Sequence, residues 1–262
     1  MGQVELEREE HSATLTFNNP PRNMLTTEMF AELGRHVRAL DCDPEARAVI
    51  IRGAGDQHYT VGADIQEMDV VAAQENRALQ TAAWLNAIHD VLGAIERSPK
   101  VYICAMKGYS YGGGLETAAA CDIRVAAHGS RFAMPEVKLG IIPGYGGTQR
   151  LARLIGMGHT LTMVLGAREI DVKTAARWGL IDIVTPIGEA ESTAQTMARA
   201  IGGYAPLALA AAKRAIRGGL DVALSAGLAQ ERAGFIACAI STDFDEGRRA
   251  FLEHRAPVFQ GA

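Results

Sequence analysis

The chain has 262 residues, a mass of 27.9 kDa and a formal net charge of −4, a length that buries a substantial core within one large domain. Hydrophobic residues make up 48% and charged residues 21%, which excludes a disordered or fibrous chain, and a pI ≈ 6.0 leaves no electrostatic footprint for nucleic acid or anionic lipid. No apolar run exceeds six residues, too short for a membrane span, and the opening MGQVELEREEHS lacks the basic-then-apolar order of a secretory signal, so a cytoplasmic location is expected.

In chain order, Ala13, Leu15 and Phe17 alternate with Ser12, Thr14 and Thr16, the pattern of a half-buried strand. Thr26 or Thr27 can cap a helix carrying Met29, Phe30, Leu33, Val37 and Leu40 at helical spacing, with Asp43-Pro44 closing it. Ala48 to Ile51 reads as a short buried strand. A long helix through Ala78, Ala82, Leu85, Ile88, Leu92 and Ile95 runs up to Ser98-Pro99. A second buried strand, Val101 to Met106, leads through a glycine-rich turn into a short helix from about Gly113 and a strand at Ile123 to Ala126. Strands separated by helices favour parallel pairing, so the fold class is α/β. After about residue 190 the texture changes: sixteen of residues 190–240 are alanine and no strand is evident. Such helices pack closely, against another subunit or as a cover on the chain's own core.

Cys42, Cys104, Cys121 and Cys238 are scattered without CxxC spacing, and the seven histidines form no HExxH pattern, so neither a metal site nor a disulfide framework is expected. Glycine is the outlier. Eleven of the 28 lie between residues 108 and 158, where bare backbone is needed.

Three segments concentrate the candidate chemistry. In Gly62-Ala63-Asp64-Ile65, a glycine precedes a helix start that Asp64 can cap, which frees a backbone N–H to serve an oxyanion. Alone, this reads as an ordinary capped helix entry. In Lys107-Gly108-Tyr109-Ser110-Tyr111-Gly112-Gly113-Gly114-Leu115-Glu116, three glycines open a helix where its dipole is positive. No Gly-Lys-Ser/Thr follows, so this is not a phosphate loop. Gly108 to Gly112 does satisfy G-x-S-x-G, the nucleophile elbow of serine hydrolases, with Ser110 as nucleophile and His159 or His254 as nominal base, although no HGGG-type oxyanion motif precedes it. In the third segment, Met134 to Leu151, Glu136 follows a proline in a short non-helical stretch and a glycine-rich turn opens the next helix. A lone surface Glu is usually a solvated charge. Glu116 and Glu136, each beside a glycine-rich turn, can instead share one water as an acid/base pair.

GADI, GYSYGGGLE and PEVKLGIIPGYGGTQRL, in this order, resemble the enoyl-CoA hydratase/isomerase (crotonase) superfamily. The likeness runs from the first strands to the C-terminal FLEHRAPVF. It implies a spiral of ββα turns over residues 1–195, then a C-terminal helical subdomain at 196–262 that builds trimers, often paired into hexamers. It also implies an acyl-CoA thioester as substrate, with coenzyme A carried as part of it and no separate cofactor. Position by position, the amides of Ala63 and Gly113 fall at the oxyanion hole and Glu116 and Glu136 at the two glutamates of true hydratases. Gly144 matches the glycine against the reacting part of the substrate. Gly62, Asp64, Ile65, Gly112 and Tyr145 fall around it, and Arg22 and Asn23 lie where the nucleotide end of CoA is contacted. Tyr145 replaces a residue that is commonly small, and Ile240 and Ala256 stand where aromatic and lysine side chains often reach a neighbouring subunit's acyl-CoA.

Retention of both glutamates implies reversible hydration of a 2-enoyl-CoA. Two such carboxyls facing one water resist simultaneous ionisation. Double-bond isomerisation, carbon–carbon lyase chemistry and a serine hydrolase through Ser110 are the alternatives on this scaffold. Acyl length and pathway are not encoded in these motifs.

Overall fold

In the computed structural model, which describes residues 2–262 apart from the side chains of residues 71 and 72, strands β1 (Gln3–Glu9) and β2 (Ser12–Asn18) form an antiparallel hairpin. Helix α1 (Thr27–Asp41) then returns the chain to β3 (Ala48–Gly53), parallel to β2. Helices α2 (Ile65–Ala72) and α3 (Arg77–Arg97) precede β4 (Val101–Met106), β5 (Tyr109–Tyr111) and α4 (Gly113–Ala120). A second turn follows with β6 (Ile123–Ala127), β7 (Arg131–Ala133), a 3-10 turn at Glu136–Leu139 and α5 (Gly147–Leu165). Next come β8 (Ile170–Asp171), α6 (Val172–Trp178) and β9 (Ile183–Thr185), and then α7 (Ala190–Gly202), α8 (Pro206–Gly219), α9 (Leu224–Ala239) and α10 (Thr242–Leu252). The main sheet has the order β1-β2-β3-β4-β6-β9 and is parallel from β2 onward, and β5, β7 and β8 make a smaller second sheet. Each of β4–β5–α4 and β6–β7–α5 therefore places a long strand in one sheet, a short strand in the other and then a helix.

Thr26 caps α1 by accepting the Met29 amide at 3.2 Å, and Met29, Phe30, Leu33, Val37 and Leu40 are buried, as the periodicity predicts. Leu15, Ile51 and Cys104 pair across three neighbouring strands and face this layer. On the other face of the sheet, Ala48, Ile50, Ile103, Ala105 and Val125 pack under Ala190, Ala194 and Ala198 of α7. Alanines at i, i+4, i+8 let that helix lie close to the strands.

This second layer corrects the reading of β2 as half-buried. Thr14 and Thr16 are buried as well, with Thr16 Oγ1 accepting from Arg52 Nε at 2.9 Å and Arg52 paired to Glu191 of α7. The long helix α3 is also less uniform than its spacing suggests. Ala78 and Ala82 are exposed, and burial begins only at Ile88. Glu136 opens a 3-10 turn rather than lying in irregular chain.

Among the described residues no strand follows β9, and the 195/196 boundary falls inside α7, which packs on the chain's own sheet. In α9 the contrast is complete: Gly234 is buried while Leu224, Leu228, Phe235 and Ile236 are exposed. No described helix is long and apolar enough to cross a membrane.

Candidate active site

Strand β5 delivers the chain to the start of α4, a helix buried along its whole length. Gly113 is its first residue, so its amide has no intrahelical acceptor. Opposite, the loop at 62–64 is bridged to Leu25: the Leu25 amide donates to Gly62 O at 2.8 Å and the Asp64 amide to Leu25 O at 2.9 Å. These two bonds bracket Ala63 and leave its own amide outside the bridge. A Cβ built on Gly113 would lie 3.5 Å from the Ala63 nitrogen, and one built on Gly62 3.4 Å from the Gly113 nitrogen. The two amides thus converge, and among the described residues neither donates to a backbone carbonyl. Gly62 has φ +101, and a Cβ there would stand 2.9 Å from the Tyr111 carbonyl oxygen. Only glycine lets the 62–64 loop and the segment that opens α4 come this close.

One turn into α4, Glu116 is 1% exposed. Its Oε1 accepts the amides of Tyr145 at 2.8 Å and Gly147 at 2.6 Å. Burial pushes its carboxyl up to about 8 and the neighbouring Glu136 charge adds to this, against the pull of both amides and the Arg150 guanidinium. Glu136 is 9% exposed. Its Oε1 lies 2.7 Å from where a Cβ on Gly112 would stand, and its Oε2 has no hydrogen-bond partner among the described residues. Burial raises this carboxyl too. Two carboxyls that favour protonation therefore flank the Gly112–Gly113 turn with its convergent amides. Such a set stabilises a developing oxyanion while moving protons nearby.

Gly62, Ala63, Gly112, Gly113, Glu116, Glu136 and Tyr145 are brought together. Gly144 stands in the turn before α5, and a Cβ there would meet Leu85 Cδ2 at 3.0 Å. Asp64 Oδ1 accepts the Gln66 amide at 2.9 Å, the helix-capping role, and Ile65 opens α2 with 51% exposure. Arg22 is exposed beside this loop, its carbonyl accepting the Val61 amide at 3.2 Å.

Asn23 departs from the expected CoA contact. It is 1% exposed, and its Nδ2 donates to the carbonyls of Ala54, His58 and Tyr59 at 2.9, 3.1 and 3.3 Å. Its Oδ1 accepts the Asn19 amide at 3.1 Å. Both ends of the side chain lock the loop, and neither is left for a ligand. Ser110 is likewise no nucleophile. It lies in the middle of β5, fully buried, and its Oγ has no partner among the described residues. His159 is instead stacked on Trp178 with centroids 4.1 Å apart.

Sequence reasoning missed the aromatic wall. The Tyr145 ring, 3% exposed, meets Phe30 of α1 and Trp84 of α3 edge-on at 5.2 and 5.7 Å, and its Cε2 lies 2.5 Å from a Cβ built on Gly113. Trp84 Nε1 donates to Thr27 Oγ1 at 3.1 Å, and Thr27 donates through its amide and hydroxyl to Glu67 of α2, each at 2.6 Å. Tyr145 carried a signal, as a bulky residue in a glycine-rich turn; Trp84 and Thr27 carried none, because their partners are distant in sequence.

A model of the enoyl-CoA hydratase/isomerase family matches residues 7–262. The short-chain-enoyl-CoA hydratase of Clostridium acetobutylicum is 36% identical over 256 residues, covering 97% of this chain and 96% of that protein. The 2,3-dehydroadipyl-CoA hydratase of Escherichia coli is 37% identical over 265 residues, covering 100% of both. The crystal structure of an enoyl-CoA hydratase from Bacillus anthracis superimposes with a TM-score of 0.93 at 32% identity, covering 99% of each chain. With a family model spanning nearly its whole length and the same fold in solved relatives, the chain belongs to the enoyl-CoA hydratase/isomerase family.

Proposed function

We propose that the chain adds water reversibly across the 2,3 double bond of a 2-enoyl-CoA thioester, with Glu116 and Glu136 acting on one water and the Ala63 and Gly113 amides holding the thioester oxygen. The observation that carries this reading is the pair of raised carboxyls beside two convergent, unengaged amides. In the forward direction the ionised carboxyl takes a proton from water as its oxygen bonds to C3. The π electrons move to the thioester oxygen, where two N–H groups and the positive end of α4 stabilise the enolate. The protonated carboxyl then delivers its proton to C2 as the carbonyl reforms. The pair holds one proton before and after the addition, moved from one glutamate to the other, and its return to the first carboxyl readies the site for the next turnover. Coenzyme A enters only as part of the substrate, and the exposed Arg22 beside the 62–65 loop suits the phosphates of its nucleotide end.

The relatives' names support hydration over other chemistry on this scaffold. The exposed apolar residues of α9, Leu224, Leu228, Phe235 and Ile236, with Ile240 just beyond its end, suit burial against other copies of the chain as a trimer or a pair of trimers. On this reading, the catalytic spiral runs past residue 195 to the end of α7, and the helices beyond it serve assembly. Free Cys42, Cys104, Cys121 and Cys238 suit the reducing cytoplasm.

The test is a panel of 2-enoyl-CoA thioesters differing in chain length and branching, followed by loss of the conjugated-thioester absorbance with product identification. Hydration is expected, falling by at least about 10² in Glu116→Gln and in Glu136→Gln. A double-bond isomer or a cleaved chain as the product would replace the hydratase reading. Undiminished activity in both variants would remove the two-glutamate mechanism. Light scattering that gives the mass of a single 27.9 kDa chain would remove the oligomer.

A further inference from the structure

The turn that supplies both amide donors to Glu116 is itself gripped from α3. His89 Nε2 lies 2.7 Å from the Gly144 carbonyl oxygen. A carbonyl only accepts, so Nε2 carries the hydrogen. The Gly144 carbonyl and the Tyr145 amide belong to one planar peptide unit, and that amide donates to Glu116 Oε1 at 2.8 Å. His89, the 144–145 peptide and Glu116 form one continuous line of donors and acceptors. Seven residues further along α3, on the same face, Glu96 takes Arg150 at two points, Nε at 2.9 Å and Nη2 at 2.6 Å. Arg150 Nη1 in turn donates to the Tyr145 carbonyl at 2.7 Å. One helix thus holds both carbonyls that flank the Tyr145 amide, the first directly through His89 and the second through Arg150.

We propose that His89 is a positioning residue for Glu116: by donating to the Gly144 carbonyl it fixes the plane of the 144–145 peptide and polarises the amide that supports the Glu116 carboxylate. The proposal rests on the reading of Glu116 as catalytic. A donor on the carbonyl side of a peptide strengthens the hydrogen bond made by its N–H, and that bond favours the ionised carboxyl. The other groups acting on Glu116 are Glu136 from the 3-10 turn, the Arg150 guanidinium from α5 and the Gly147 amide, and replacing His89 leaves all three in place. His89 is exposed, so its removal opens no cavity in the core.

The experiment uses the full-length protein as His89→Ala, His89→Gln and Glu116→Gln, assayed across pH on the best 2-enoyl-CoA of the panel. In parallel, the Glu116 carboxyl carbon is titrated by NMR, its signal assigned by its loss in Glu116→Gln. His89→Ala is expected to lower kcat about three- to tenfold, the weight of one net hydrogen bond, with KM changed less than about twofold, and to move the Glu116 titration to higher pH. His89→Gln, whose amide nitrogen falls near the Nε2 position, should restore most of kcat and return the titration. An unmoved carboxyl titration in His89→Ala overturns the proposal whatever the activity shows, as does a loss of kcat that His89→Gln fails to rescue. Full activity in Glu116→Gln would instead defeat the catalytic reading of Glu116, with the carboxyl titration still reporting on His89.

Discussion

Gly147 presents its amide nitrogen 2.6 Å from Glu116 Oε1, and a Cβ built on Gly147 would stand 2.8 Å from that same oxygen. The hydrogen bond and the missing side chain are one requirement, since the backbone approaches the carboxyl closely only because nothing projects from it. The same Cβ would also crowd Glu116 Cγ at 2.9 Å and Met134 Cε at 2.8 Å. Gly147→Ala is therefore expected to push Glu116 out of register with the convergent Ala63 and Gly113 amides. An ångström-scale displacement lowers kcat by up to about 10², and overpacking lowers stability by about 1–3 kcal/mol. Steady-state hydration and chemical denaturation measure the two effects separately, and a variant with unchanged kcat would show that the carboxyl tolerates the shift.

Ser110 gives a sharper outcome. Its hydroxyl is buried in β5 without a partner, so removing it relieves an unsatisfied polar group and opens only a small space. Ser110→Ala should keep full hydration activity and a melting temperature equal to or above that of the parent chain. A fluorophosphonate probe should label neither protein. Labelling lost on substitution would revive the hydrolase.

Arg22 and Asn23 are neighbours in sequence with opposite expected phenotypes. Asn23→Ala leaves three loop carbonyls without their donor, which costs roughly 1–3 kcal/mol for a buried group. Arg22 is exposed, so Arg22→Ala should keep the stability and raise KM for the thioester through the loss of a phosphate contact. Denaturation midpoints and KM values for the two variants decide between these roles. A raised KM with unaltered stability in Asn23→Ala would restore its reading as a ligand contact.

These two residues also mark how far the sequence was legible. Local chemistry was readable where one segment carries both the geometry and the reactive group. Gly113 and Glu116 share a helix turn, and Gly62 sits beside Ala63, so spacing marked the segments, and the roles of these residues came only with the family resemblance. The α1 face and the parallel strands followed from period and length. Burial depends on what covers a surface, which local pattern does not contain. Thr14 and Thr16 looked like a solvent face because α7, which covers them, lies more than 170 residues further along the chain. The same holds for Asn23, whose partners at 54, 58 and 59 close a separate loop, and for His89 and Trp84, polar or aromatic residues on an ordinary-looking helix whose contacts lie at Gly144, Tyr145 and Thr27.

The buried glutamate ties activity to stability through pH. Burial pushes the Glu116 carboxyl up to about 8 in the folded chain, against a usual value of 4.5. Between those limits the folded state holds a proton that the unfolded chain has released. Protein stability therefore declines as pH rises through that window, and Glu136, also raised by burial, contributes with the same sign. Glu116→Gln removes the ionisation while its Oε1 still accepts from the Tyr145 and Gly147 amides. The melting temperature of Glu116→Gln minus that of the parent should consequently grow from pH 5 to pH 8, and each additional kcal/mol of difference corresponds to about 2–4 °C for a chain of this size class. On the proposed mechanism the glutamate pair must hold one proton and one charge over the same range, so kcat of the parent should fall above pH 8 as the last proton leaves. A melting-temperature difference that stays flat from pH 5 to pH 8 would show that Glu116 is already ionised in the fold, and the alkaline limb of the rate profile would then belong to Glu136.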